Sequence, residues 1–281
     1  MIKENLEGHL REIVRERDPY FAQQGHFYVR EYIRQELRRW GEVESHNFEQ
    51  VGKRYQNLIL NLASRQGDVA DKKPIILIGA HYDAVPRSPG ADDNASGVAV
   101  LLELARIFAE RPAGLPVQLV AFDVEEYGMV GSGVYAQELK EKGQEIRLML
   151  SLEMLGYFDE TPGSQRYPAK LEKFYPNCGN YIALIGSLRT IPDMMRLKSE
   201  IKKAQVPCEW LPVPNAGKMV PDVRRSDHAP FWDLGYAAMM VTDTANMRNP
   251  HYHQPSDTIE TLNLDYMAGI CEGLAEGLRG L

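Results

Sequence analysis

Residues 74–108 read PIILIGAHYDAVPRSPGADDNASGVAVLLELARIF. The stretch opens with an unbroken apolar run, Ile75 to Ile78, whose β-branched content predicts a strand buried on both faces, as in parallel sheets covered by helices. Polar residues then end the run abruptly. His81 and Asp83 stand two apart at or just beyond the strand end, so extended backbone puts their side chains on one face. A Pro/Gly loop follows, then Asp92, Asp93 and Asn94, and then a helix marked by Val98, Leu101, Leu102, Leu104, Ala105 and Phe108. An imidazole and several carboxylates are thus gathered where strand becomes helix, and open α/β sheets bind ligands outside the carboxyl ends of their strands.

The same arrangement recurs downstream. A strand over Val117 to Phe122 runs into Asp123, Val124, Glu125 and Glu126; Gly128, Gly131, Ser132 and Gly133 form a turn before a helix from Val134 to about Lys142. A strand over Ile146 to Leu152 ends on Glu153. Beyond it come a polar, Pro-, Gly- and Tyr-rich excursion from Tyr157 to Asn180, a strand over Tyr181 to Gly186, a helix over Asp193 to Ala204 and an irregular loop from Pro212 to Arg225. A short helix over Ala229 to Leu234, a strand over Ala237 to Thr242 and a helix over Leu264 to Leu278 close the chain. Upstream, Leu6, Leu10, Ile13 and Val14 form one helical stripe, ended by Asp18-Pro19, and Val29, Tyr32, Ile33, Leu37 and Trp40 form a second. Val43 to Ala63 alternates as a hairpin expected to join the Ile75 strand, with a polar connection from Ser64 to Lys73 between them.

With 281 residues, 44% hydrophobic and 25% charged, the chain can bury a large core, and we expect one domain over 1–281. A formal charge of −7 without a dominant Lys/Arg cluster argues against nucleic acid as partner and for a small or uncharged substrate. No stretch approaches the ~20 apolar residues that span a bilayer, and residues 1–40 hold no apolar leader, so the expectation is a soluble cytoplasmic protein without a membrane partner. Cys178, Cys208 and Cys271 are widely spaced and read as free thiols.

Strand ends carrying His81, Glu125 with Glu126, Glu153 and, after the last strand, His251 and His253 would focus negative charge on one edge of the sheet. A divalent cation would offset it. Imidazole nitrogen and carboxylate oxygen at about 2.0–2.2 Å suit Zn²⁺, and a set without Cys points to a catalytic rather than a closed structural site.

Six segments, GAHYDAV, GADDNASG, FDVEEYGMVGSGVYA, LEMLGY, SDHAPF and HYHQPSDT, resemble in order and spacing the co-catalytic zinc exopeptidases typified by bacterial leucyl aminopeptidases, a superfamily that also holds glutamate carboxypeptidases and glutaminyl cyclases. The resemblance runs from about Pro74 to Thr261. It implies a three-layer α/β/α sandwich with a central mixed, mostly parallel sheet, and two zinc ions per chain. Carried over by position, His81 and Glu153 would hold one ion, Glu126 and His253 the other, and Asp93 would bridge them. Glu125 matches the general base, facing the substrate while its neighbour grips metal. Asp83 would orient the His81 imidazole, and Asp227 would hydrogen-bond near the base, or Ser226-Asp227 would cap the following helix. Asp257 reads as a loop-fixing residue. The sequence departs from the best-known aminopeptidases at Glu153, where those carry Asp; the extra methylene loosens one site and leaves a single bound ion as the alternative.

The resemblance implies an aminopeptidase that hydrolyses the N-terminal peptide bond, with Glu125 moving the proton of a water to the leaving amine. Met154 and Tyr252 are the expected substrate contacts, and Phe158, Met219 and Met247 are candidates to complete an apolar side-chain pocket. A glutaminyl cyclase would carry Trp before the last His, where this chain has Tyr252, and a longer insertion after its paired Glu residues. A carboxypeptidase would use a cation such as Arg189, Arg224 or Arg225. A non-catalytic binding module would have lost part of the ligand set, which is complete here.

Overall fold

The computed structural model describes residues 1–69, 73–168 and 171–281; residues 70–72 of the Ser64–Lys73 connection and 169–170 of the Tyr157–Asn180 excursion lie outside them. The Ile75 run extends to His81 as strand β3 (Ile75–His81), every residue of which is buried. Both of its edges are taken by parallel neighbours, β4 (Val117–Phe122) and β5 (Ile146–Glu153), which removes the exposed backbone an apolar strand could not afford. Side chains alternate across it: Ile76, Ile78 and Ala80 enter one core, Ile75 and Leu77 the other. Gly79 makes room on this strand, since a Cβ there would stand 2.2 Å from the Phe122 ring.

The remaining strands are β1 (Val43–Gln50), β2 (Lys53–Leu62), β6 (Ile182–Ser187), β7 (Cys208–Val213) and β8 (Ala238–Thr242). They complete one mixed sheet of order β1-β2-β4-β3-β5-β8-β6-β7. The β1–β2 hairpin is antiparallel, as the alternation predicts, but it joins the sheet through β4 and not through the Ile75 strand, because β3 already has β4 and β5 on its two sides. Strand β7 has no counterpart in the sequence reading. It is an edge strand, paired only with β6 and half-buried over Glu209–Pro212, so it lacks a clean apolar alternation and tolerates Pro212.

Helices cover both faces, giving the three layers. Helices α1 (Ile2–Ile13), α2 (Gln23–Arg38), α3 (Gly97–Glu110), α5 (Ile191–Lys203) and α7 (Leu264–Arg279) pack on one side, contributing Leu6, Ile33, Leu101, Leu197 and Leu274 to the larger core. On the other side lie α4 (Val130–Glu141) and α6 (His228–Asp233), with Tyr135, Leu139, Phe231 and Trp232. Helix α4 begins a turn earlier than Val134: Gly131 sits inside its first turn, against the Asp123 backbone and the Asn57 side chain, where a Cβ would come within 2.4 Å.

Candidate metal centre and its cavity

Three parallel strands release their chemistry-bearing residues at one edge. His81 and Glu153 are the last residues of β3 and β5, and Glu125 and Glu126 follow β4. Asp93 comes from a wide turn, Ala91–Ser96, that feeds α3 and contains a cis Asp93–Asn94 peptide; His253 arrives on the loop after β8. The five expected ligands form two groups that share Asp93: His81, Asp93 and Glu153, and Asp93, Glu126 and His253. Asp93 Oδ1 lies 3.3 Å from His81 Nε2, and its Oδ2 lies 3.0 Å from His253 Nε2. Glu153 Oε2 is 3.6 Å from His81 Nε2, and Glu126 Oε2 is 3.3 Å from His253 Nε2. One carboxylate therefore turns one oxygen to each group.

The polar atoms of these groups fit a cation. His81 Nδ1 and Nε2, His253 Nε2 and Glu126 Oε1 are buried without a hydrogen-bond partner among the described residues, which buried polar atoms rarely are. Burial, with Asp93 beside it, pushes Glu126 up to about 7. Burial also raises Glu125 well above the usual carboxylate range, with the charges of Glu153, Asp227 and Glu126 adding to it. Burial alone would lower His253, but Asp93 and Glu126 outweigh it and carry the imidazole up to about 10. Such crowded acids hold protons between them until a cation takes their place, and a donor set of imidazole and carboxylate without thiolate suits zinc.

A second tier of contacts fixes these side chains. Asp83 accepts the backbone N–H groups of Glu125 (3.0 Å) and Glu126 (3.2 Å), and its Oδ1 stands 3.4 Å from His81 Nδ1. Asp257 accepts the N–H groups of Asp92 (2.9 Å) and Asp93 (3.1 Å), fixing the wide turn. Ser226 donates to Glu153 Oε2 at 2.7 Å, with Ser151 2.7 Å behind it, so the longer carboxylate is held by a buried hydroxyl pair. Asp227 is buried and both its oxygens lack a partner among the described residues; burial pushes it up to about 7. It precedes α6 but makes no side-chain cap bond there, so the capping alternative does not hold.

A largely apolar cavity of about 860 Å³, open mouth included, adjoins Glu153 and Tyr252. Its walls come from Tyr167, Tyr181, Trp210, Met240 and Met247, with Arg225 also lining it. Tyr252 stacks on the His253 ring at 3.8 Å and accepts a hydrogen bond from Arg225. Of the other expected pocket residues, Met154 is wholly buried with its N–H bonded to Asn94, Phe158 packs on Tyr266, and Met219 is 77% exposed; none of the three lines the cavity. Arg224 is spent on the Ala216 carbonyl and Asp233, and Arg189 reaches the Gly235 carbonyl. His251 bonds Ser256 and stands outside both ligand groups. Sequence reasoning missed the bond from Ser226 to Glu153, the aromatic walls of the cavity, and Arg17, a fully buried guanidinium beneath the site.

A family model, Peptidase family M28, matches residues 57–276. The chain is 36% identical to the uncharacterized protein YfbL of Escherichia coli over 87% of its own length and 77% of that protein, and 30% identical to the aminopeptidase YwaD of Bacillus subtilis over 70% of its own length and 40% of that protein. Among solved structures, a zinc aminopeptidase from Bacillus subtilis, BSAP, superimposes with a TM-score of 0.61 at 25% identity, over 82% of this chain and 52% of that one. The chain thus spans about half the length of these two aminopeptidase matches, and among the described residues no helix is long and apolar enough to cross a membrane. The chain belongs to Peptidase family M28, within the co-catalytic zinc exopeptidase superfamily of metal-dependent hydrolases.

Proposed function

We propose that the chain is a zinc-dependent aminopeptidase that removes apolar, bulky N-terminal residues. The observation that carries this reading is Asp93, which turns one carboxylate oxygen toward each of two His-carboxylate groups. His81, Asp93 and Glu153 would hold one ion and Asp93, Glu126 and His253 a second. Bound there, zinc supplies a Lewis acid that polarises the scissile carbonyl and acidifies water.

The protein's own residues do the rest. Glu125 belongs to neither ligand group, yet its Oε2 lies 4.0 Å from His81 Nε2, so it stands beside the centre free to take a proton from water and pass it to the leaving amine. Burial and its acidic neighbours raise its proton affinity above that of an ordinary carboxylate, which favours taking a proton from water. Asp227 adds negative charge next to Glu125 and strengthens it as a base. The acidic surroundings favour a free α-ammonium, and Tyr252 presents its side chain at the junction of centre and cavity. Tyr175 donates to the Trp210 carbonyl, and the Tyr167 and Tyr181 hydroxyls stand 2.7 Å apart, so these groups are spent on the protein and the walls offer ring faces to an apolar side chain.

One observation favours a second reading. Arg225 lines the cavity and makes no ion pair among the described residues, so a substrate carboxylate would find a partner there, as a carboxypeptidase requires. A panel of leucyl, phenylalanyl, lysyl and glutaminyl peptides, each free, N-blocked or C-amidated, separates the two. The aminopeptidase reading expects cleavage that demands a free N-terminus and tolerates C-amidation. Cleavage of N-blocked substrates that is lost on amidation refutes it in favour of the carboxypeptidase, and cyclisation of N-terminal glutamine without hydrolysis refutes both.

A further inference from the structure

The family match begins at residue 57, yet two side chains well upstream of it hold the loops that carry the candidate ligands. Arg17 lies four residues beyond the end of α1 and is fully buried. Its Nε donates to the Tyr82 carbonyl at 2.8 Å, its Nη2 to the carbonyls of Gly90 (2.8 Å) and Asp93 (3.3 Å), and its Nη1 to those of Pro89 and Arg15. One planar fork thus ties the residue after His81 to the turn that carries Asp93 itself. The loop closes on it tightly. Gly90 has φ 60°, and a Cβ there would meet the Asp93 carbonyl oxygen at 2.3 Å and the guanidinium at 2.8 Å. The next residue reaches the other loop: Asp18 accepts the N–H groups of Tyr20 (2.8 Å) and Phe21 (2.6 Å) on Oδ1 and the Tyr127 hydroxyl (2.5 Å) on Oδ2. Tyr127 is the neighbour of Glu126.

A buried guanidinium is costly, and this one spends its donors on backbone carbonyls and makes no ion pair among the described residues. Its return is geometric: a rigid fork fixes several carbonyls relative to one another, which a point-charge ammonium on a flexible stem does not do. We propose that Arg17 and Asp18 are positioning residues for the metal centre, Arg17 placing the bridging Asp93 and Asp18, through Tyr127, placing Glu126. The inference rests on the metal centre proposed above. Because Asp93 faces both ligand groups, Arg17 bears on both ions; Tyr127 bears only on the group that holds Glu126 and His253.

The test is a calorimetric zinc titration of the chelator-stripped 281-residue chain as wild type, Arg17→Lys and Tyr127→Phe, with the melting temperature of each stripped form. Lysine keeps the charge and loses the fork. Expected are a loss of about 10–100-fold in zinc affinity at both sites for Arg17→Lys, and about tenfold at one site only for Tyr127→Phe. A general loosening of the fold would not be site-selective, and if Arg17→Lys does not fold, the single-site loss in Tyr127→Phe carries the test. Wild-type affinities at both sites in Tyr127→Phe, or equal weakening of both, overturn the inference. A wild type that takes up no zinc instead overturns the metal centre, an outcome visible before either variant is made.

Discussion

Asp83→Asn is the most exacting probe of the site, because it changes one acceptor and almost no volume. The Asp83 carboxylate accepts the Glu125 N–H on Oδ1 at 3.0 Å and the Glu126 N–H on Oδ2 at 3.2 Å. Asparagine offers one oxygen. In one amide orientation its NH₂ opposes the Glu126 N–H; in the other it opposes the Glu125 N–H, with His81 Nδ1 3.4 Å away on the same side. Either way a charge-assisted hydrogen bond is lost, a term of about 1.5–3 kcal/mol, and a buried donor is left facing a donor, so a net loss of about 3 kcal/mol follows. The comparison belongs in zinc-loaded protein, since in stripped protein removing one negative charge from the acidic cluster would offset part of the loss. Urea unfolding of the loaded forms should show that difference, and kcat should fall by about 10–100-fold as the Glu125–Glu126 segment drifts from its position. A stability change under about 0.5 kcal/mol, the scatter of ordinary surface substitutions, together with an unchanged kcat would refute the claim that Asp83 fixes the base and its neighbouring ligand.

Glu125→Gln should keep its zinc by elemental analysis and lose about 10²–10⁴ in kcat, because Glu125 lies outside both ligand groups; loss of the metal would place it among the ligands instead. Returning zinc to stripped protein at a free concentration about 100 times Kd should stabilise it by about 2.7 kcal/mol for each ion held, seen as a rise in melting temperature of roughly 5–10 °C for one to two ions; an unchanged Tm contradicts a centre built into the native fold. Burial lowers the His228 imidazole to about 4, so between pH 6.5 and 4 the unfolded chain takes up a proton that the folded chain refuses. Relative to a His228→Gln variant, which shares the raised carboxyl groups of the centre, the stripped wild type should therefore lose on the order of 3 kcal/mol of stability on acidification over that window, and the difference should level off below it. His228→Gln should remove that part of the slope, and identical pH profiles would show that His228 is not the group responsible.

The 74–108 stretch was legible because every feature in it is local. An apolar run names a strand buried on both faces, and the polar stop after it names the strand end. His81, Glu126 and Glu153 meet with Glu125 for the same reason: each ends or closely follows a strand, and β4, β3 and β5 run in one direction side by side, while Asp93 and His253 reach them on longer loops. Strand β7 was hidden by its edge position, where only one side must pair and Pro212 costs nothing. Arg17 was hidden more deeply. All but one of its partners, the Arg15 carbonyl, are carbonyl oxygens of residues 65 or more positions away, and a main-chain acceptor has no side-chain identity to read. Ser226 was quoted as part of a motif, but that its hydroxyl meets Glu153 depends on how α6 is set against β5.

The cavity was the least legible part because it is made by a reversal in the sheet. Strands β5 and β8 run parallel and end together, Glu153 opposite Thr242. Strand β6 pairs antiparallel with β8, Ala183 opposite Thr242, so β6 begins where its neighbours finish and brings Tyr181 to the ligand-bearing edge. Strand β7 follows β6 in parallel and delivers Trp210 to the same wall. Glu153, Thr242 and Ala183 thus form one row across three strands, with the ligand at one end and the cavity at the other. The parallel strands carry the groups that would bind metal, and the reversed pair carries the surface that would receive a side chain. Because the two sets stand on different strands, Trp210→Ala should change which substrate is preferred while leaving zinc uptake as in the wild type. A mutant that loses zinc along with its preference would show the wall and the centre to be one mechanical unit.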